Sequence, residues 1–189
     1  MLTACPSVVK VNPEFQDMGN AVSRHIATGF IYPFSIDHFY TVNKTDYDGS
    51  GKHYSVGYND RKNFVVTTIY IYPKSIEPQA TDVNSLFALE KAVVQNFYQN
   101  SKQLDEKAFA YPNFNGLKAT FLLPNQDLFG EAPAELKTGG NLSELYIMQG
   151  REYNVKFRIS YFANNAAVSQ PAIEEFIAKW TAANSATVY

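Results

Sequence analysis

A chain of 189 residues that is 46% hydrophobic, 15% aromatic and 18% charged has the length and apolar inventory of one packed domain. Its nine Pro and ten Gly are too few for a low-complexity or collagen-like chain. Sixteen Lys and Arg against eighteen Asp and Glu leave a net charge of -2, which excludes the basic field that holds a nucleic-acid backbone, and one cysteine excludes a disulfide framework or a multi-cysteine zinc site. The chain opens Met1-Leu2-Thr3-Ala4-Cys5 and runs from Pro6 to about Ser23 with no sustained period, which predicts an extended leader over residues 1–23 before a single body over 24–189. Ile26 to Tyr32 is apolar and is closed by Pro33, and Phe39 to Thr45, rich in aromatic and β-branched residues, predicts a strand.

Lys52 to Tyr58 puts Tyr54, Val56 and Tyr58 on one face and His53, Ser55 and Gly57 on the other. Asn59 to Asn63 is turn chemistry, and Phe64 to Tyr72 is a β-branched and aromatic run with two largely apolar faces; together they predict a hairpin whose second strand is central in its sheet. After Pro73 and Pro78 the period becomes helical. Val83, Leu86, Leu89, Val93 and Phe97 form one stripe, Asn84, Glu90, Lys91, Gln95 and Asn96 lie off it, and the expected helix runs from about Asp82 to Lys102 with Thr81 as N-cap. Residues 109–116, with Pro112 and Gly116, predict a loop and Leu117 to Leu123 a strand; residues 124–140, punctuated by Pro and Gly, predict a long functional or mobile loop. Leu142 to Met148 and Tyr153 to Phe162 predict a hairpin across Gln149 to Glu152. Ser169 and Pro171 open a last helix with Ile173, Phe176, Ile177 and Trp180 on its apolar side and a Glu175–Lys179 pair on its wet side.

Strands, one long helix, more strands and a terminal helix predict an α+β fold: a mostly antiparallel sheet with a long middle helix and a C-terminal helix packed on it. From about Ile31 to Ala183 this order, with its aromatic strand Tyr153 to Tyr161 followed by the Trp-bearing helix Phe176 to Trp180, resembles the Mog1/PsbP-like sandwich. That likeness carries little about function, because the fold hosts unrelated roles. The four residues Leu2-Thr3-Ala4-Cys5 resemble the lipobox of bacterial lipoproteins. The resemblance implies cleavage before Cys5, a diacylglycerol on its sulfur, a charged and apolar signal sequence encoded upstream of Met1, and a periplasmic or cell-surface location. Acyl burial at about 0.8 kcal/mol per methylene would hold such a protein to a membrane. No run of about 18 apolar residues predicts a spanning helix.

Three groups of residues carry candidate chemistry. Asp46-Tyr47-Asp48-Gly49-Ser50-Gly51 matches the first half of a calcium loop through Asp46, Asp48, Ser50 and the bend glycine, but Gly57 stands where the bidentate Glu belongs, so a Gly-rich hairpin turn is the competing reading. Lys156 and Arg158 share a strand face, and Lys118 lies on another strand expected nearby, a small cationic patch for an anionic ligand or partner; a solvated sheet face is the alternative. The tyrosines at 54, 58, 70, 72, 153 and 161 either line a groove or rim a core. His25, His38 and His53 fit no zinc spacing, and no nucleophile elbow or phosphate loop occurs, so no catalytic residue stands out.

The expectation is a cell-envelope lipoprotein that binds or scaffolds another envelope component without catalysis, attached to the membrane through Cys5 and with no cofactor unless calcium binds. A soluble ligand-binding or calcium-stabilised domain is the second reading, and a hydrolase the third.

Overall fold

The computed structural model describes residues 14–125, 127–150 and 152–187, so Cys5 lies outside the described residues. Phe15–Asp17 (β1), Val22–His25 (β2) and Ile31–Pro33 (β3) form a small antiparallel sheet. Ser35–Ile36 (β4), Phe39–Asp46 (β5), Tyr54–Asp60 (β6) and Val65–Pro73 (β7) precede the helix Val83–Phe97 (α1). Lys102–Tyr111 (β8), Phe114–Leu123 (β9), Asn141–Gln149 (β10) and Tyr153–Phe162 (β11) follow, and the helix Ala166–Ala183 (α2) ends the fold. Strands β4 to β11 make an eight-stranded sheet in the order β4-β5-β6-β7-β11-β10-β9-β8, every neighbouring pair antiparallel. The chain is therefore α+β. The second meander folds back so that β11 joins β7, which makes β7 central as its two apolar faces required.

Each helix covers one face of this sheet. α2 buries Ile173, Phe176, Ile177 and Trp180 against Val155, Phe157, Ile159 and Tyr161 of β11 and the aromatic residues of β3, β5 and β6. Trp180 meets Phe157 edge-on at 5.1 Å and stacks on Phe30 at 5.7 Å between ring centres. On the other face α1 buries Leu86, Phe87 and Val94 against Ala119 and Phe121 of β9 and Leu145 and Ile147 of β10. Because α1 sits over β9 and β10, the β7 and β11 part of this face lies beside the helix, and a cavity opens there.

Several elements depart from the sequence expectation. Residues 14–23, expected in an extended leader, contain β1 and part of β2, and Phe15 is buried in the main core. The middle helix stops at Phe97, because Lys102–Tyr111 is a strand at the sheet edge; pairing only with β9 and exposed along most of its length, it shows no alternation of burial. Asp82, not Thr81, caps α1: its carboxylate accepts the Ser85 N–H at 2.8 Å, and the Ser85 hydroxyl oxygen accepts the Asp82 N–H at 3.1 Å. Pro171 lies inside α2, which begins at Ala166. In the stretch between β9 and β10, Phe129 and Ala132 are buried with Phe162.

The small sheet is fastened from two sides. At its far end the Asn184 side chain accepts the Ile31 N–H at 2.7 Å and donates to the Ile31 and Trp180 carbonyls at 3.0 Å each. At the other, His25 is fully enclosed, stacked on Tyr54 at 3.8 Å and edge-on to Phe15 at 4.8 Å. Its Nδ1 lies 2.9 Å from the Thr28 hydroxyl, which in turn meets the Tyr54 hydroxyl at 2.8 Å. Burial lowers the imidazole pKa from 6.5 to about 4, Asp46 opposing the shift and Lys44 adding to it. An unfolded chain protonates His25 near pH 6.5 while the folded one resists until about pH 4, so stability falls as pH drops through that window and is level above it. In parallel melting curves between pH 7 and 4, His25→Phe should lose less melting temperature than the parent. Equal slopes for the two proteins would remove His25 as the cause.

Candidate functional site

Lys156 and Arg158 share a face of β11, as their spacing predicts, and both line the cavity of about 280 Å³ between β11, β7 and the C-terminal half of α1. Thr68 and Tyr70 reach it from β7 and Ser160 from β11; Val93, Phe97 and Tyr98 stand on the helix side. Val93 and Phe97 are exposed, Phe97 by 77%, although they belong to the apolar stripe that predicts the buried face. The buried positions are Leu86, Phe87, Glu90 and Val94, so the helix is turned by about one residue from the expected setting. Glu90, placed off the stripe by sequence, is enclosed because two donors make three hydrogen bonds to its carboxylate: Lys156 Nζ contacts its two oxygens at 2.8 and 3.0 Å, and the Tyr72 hydroxyl donates to Oε1 at 2.8 Å. Burial first, then the Glu90 charge, pushes the Tyr72 phenol far above its ordinary value and keeps it a donor.

Arg158 has no such partner. Its Nη2 donates to Ser143 Oγ at 2.9 Å, its Nε is enclosed with no acceptor, and among the described residues no carboxylate forms an ion pair with it. Burial pushes the guanidinium below its ordinary value, with Tyr98, Tyr70 and Glu90 opposing, yet arginine stays protonated at neutral pH. With Lys156 matched to Glu90, the described residues lining the cavity hold one positive charge without an ion-pair partner, that of Arg158. Lys156 Nζ also lies 4.6 Å from the centre of the Tyr70 ring.

Lys118, expected to join this patch, does not. It lies on β9, with β10 between it and β11, and its side chain points to the α2 face. There Nζ meets Glu144 Oε1 at 2.8 Å, the two side chains being 9% and 1% exposed. The Tyr146 and Tyr161 hydroxyls donate to the same carboxylate at 2.8 and 3.0 Å. The alternation that faces Lys156 and Arg158 one way faces Lys118 the other, and strand order is not written in local periodicity.

The segment Asp46 to Gly51 folds as a turn between β5 and β6. Asp46 Oδ1 accepts the Asp48 N–H at 3.2 Å, Asp48 Oδ1 accepts the Ser50 N–H at 2.9 Å, and Asp46 Oδ2 accepts the Gly51 N–H at 3.3 Å. Gly49 and Gly51 take φ of 71° and 69°, the left-handed geometry that glycine adopts at least cost. Three of the four carboxylate oxygens of Asp46 and Asp48 accept backbone amides, and the described residues contain no group of three His, Cys, Asp or Glu arranged to hold a metal. Asp48 is held below the usual carboxylate range by its bonds to Ser50, whereas Glu14, beside Asp46, is raised by burial and then by that neighbouring carboxylate.

The histidines remain apart: His25 in the small-sheet core, His38 with Nε2 at 3.0 Å from Lys62 Nζ, and His53 near the Tyr47 ring. Of the six tyrosines, Tyr70 borders the cavity, Tyr72 anchors Glu90, and Tyr54, Tyr58 and Tyr161 belong to the α2-side core with Tyr153 packed against it. A second cavity of about 490 Å³ lies between β2 and β5, and its cation, Lys44, is bonded to Ser23 Oγ at 2.8 Å and sits 4.0 Å over the Phe15 ring.

No protein-family model matches this chain, and no curated protein matches it. Among solved structures, the solution structure of cyanobacterial PsbP (CyanoP) from Synechocystis sp. PCC 6803 is similar to it, at 11% identity over 93% of this chain and 95% of that one, with a TM-score of 0.47. Likeness at this level carries no role from that protein to this one.

Proposed function

We propose that this chain is a non-catalytic binding domain of the cell envelope, held at a membrane by a lipid on Cys5, and that it takes an anionic ligand or partner group in the cavity beside Arg158. The observation that carries the binding half is the guanidinium without a counter-ion. A partly buried charge that lacks a partner costs stability, and an anion arriving from outside offsets that cost. The groups around it are a guanidinium, a closed ion pair, hydroxyls and rings, which bind and orient; no nucleophile is paired with a base there. The lipid half is supported by Leu2-Thr3-Ala4-Cys5, with small residues before a thiol.

Cells expressing the gene with its own upstream sequence, fed an alkyne-tagged fatty acid, should yield labelled protein in the membrane fraction. Cys5→Ser should abolish the label and shift the protein to the soluble fraction. An unlabelled parent protein carrying an unmodified sulfur at Cys5 would overturn the lipid anchor.

A further inference from the structure

We infer that the cavity beside Arg158 takes a singly charged carboxylate carried on a ring or a compact apolar body, an inference that rests on the anion-binding reading above. Charge argues for a single negative ligand. Glu90 neutralises Lys156, so among the described residues lining the cavity Arg158 is left to meet an anion; Glu77, whose pKa is raised by burial and by Glu90, lies beside that pair. A phosphate dianion would therefore meet one uncompensated cation and, nearby, the Glu77 carboxylate, whereas a singly charged carboxylate meets its match in the planar fork of a guanidinium. Thr68 and Ser160 place hydroxyls around the same space.

Size and walls define the rest of the ligand. At about 280 Å³ the cavity falls at the lower edge of small-molecule sites, which run from roughly 300 to 1,000 Å³. An acyl chain of membrane length does not fit, but a single ring with a short acid arm does. Tyr70 and Tyr98 flank the guanidinium closely enough to influence it electrostatically, and Val93 and Phe97 form an apolar lip where an exposed helix face ordinarily carries polar groups. The lip and the cation together describe a ligand with one charged end and one apolar end. Two sources share that chemistry: a free aromatic acid, and the C-terminal carboxylate of a polypeptide that ends in an aromatic residue.

Isothermal titration of the purified full chain separates these readings, with phenylacetate, phenylacetamide, acetate, inorganic phosphate, the peptide Gly-Gly-Phe and its C-terminal amide as probes. Phenylacetate should saturate one site, and phenylacetamide, acetate and phosphate should each bind about tenfold more weakly. Arg158→Gln should lose about tenfold or more in phenylacetate affinity. Phe97→Ala should lose about fivefold at an unchanged melting temperature, since Phe97 is exposed. The Phe97 variant and the amide probes keep the test decisive even where Arg158→Gln folds poorly. Gly-Gly-Phe binding more tightly than phenylacetate assigns the site to a polypeptide terminus, and the reverse order assigns it to a free acid. Phosphate or acetate binding as well as phenylacetate overturns the inference while leaving the anion-binding reading standing. No heat or saturation with any anion, together with an Arg158→Gln protein as stable as the parent, overturns both.

Discussion

Replacing Glu144 by alanine should destabilise the protein by about 3 to 5 kcal/mol, the loss typical of removing one partner from a buried ion pair. The substitution leaves Lys118 Nζ enclosed with no counter-charge and strips the Tyr146 and Tyr161 hydroxyls of their acceptor. The pair itself need not stabilise the fold by anything similar, because desolvating both charges offsets much of their attraction. Combining Lys118→Met with Glu144→Leu should therefore recover most of the loss. Urea denaturation at pH 7 measures both proteins. If the single variant matches the parent, or the double variant is no better than the single one, the cluster is not acting as an ion pair.

Trp180→Ala should cost about 3 to 5 kcal/mol as well, by a different mechanism. The indole is fully buried and touches rings from three parts of the chain: Phe30 just before β3 and Tyr32 on it, Phe114 on β9 and Phe157 on β11. Its removal opens a void where the small sheet, the main sheet and α2 meet, and rigid surroundings close such voids only in part. Its Nε1 is buried without a hydrogen-bond partner, so Trp180→Phe, which keeps a ring and discards that donor, should cost much less. Thermal unfolding followed by circular dichroism ranks the three proteins. A Phe variant as damaged as the Ala variant would show that indole shape, not ring burial, is what the site requires.

The parts of this fold that were readable from sequence are those whose neighbours in space are neighbours in the chain. The β6–β7 and β10–β11 hairpins follow from alternation and turn chemistry between consecutive segments, and the Glu175–Lys179 pair from one turn of helix, with 2.8 Å between its charges. β8 was hidden because an edge strand with few buried side chains has no apolar face to alternate. β1 to β3 were hidden because each is three or four residues long, shorter than any window that reveals a period.

The candidate site divides in the same way. Lys156 and Arg158 lie two residues apart on one strand, so their common face was legible. Glu90 was not, since hydrophobicity ranks a carboxylate as exposed and only tertiary structure supplies Lys156 and Tyr72 to bury it. The spacing of Leu86, Glu90 and Val94 was in the sequence throughout, but the stripe through Leu89, Val93 and Phe97 is the more apolar of the two, and only what the helix packs against reverses that ranking.

The side chain of Asn184 holds both backbone groups of Ile31 across a separation of 153 residues. During synthesis Ile31 leaves the ribosome early and waits for its partner; at roughly 5 to 20 residues per second the delay is about 8 to 30 s. Its pairing is thus completed only once residue 184 has been made, and until then the nascent β3 presents an unpaired strand edge to whatever chaperone or translocation machinery attends it.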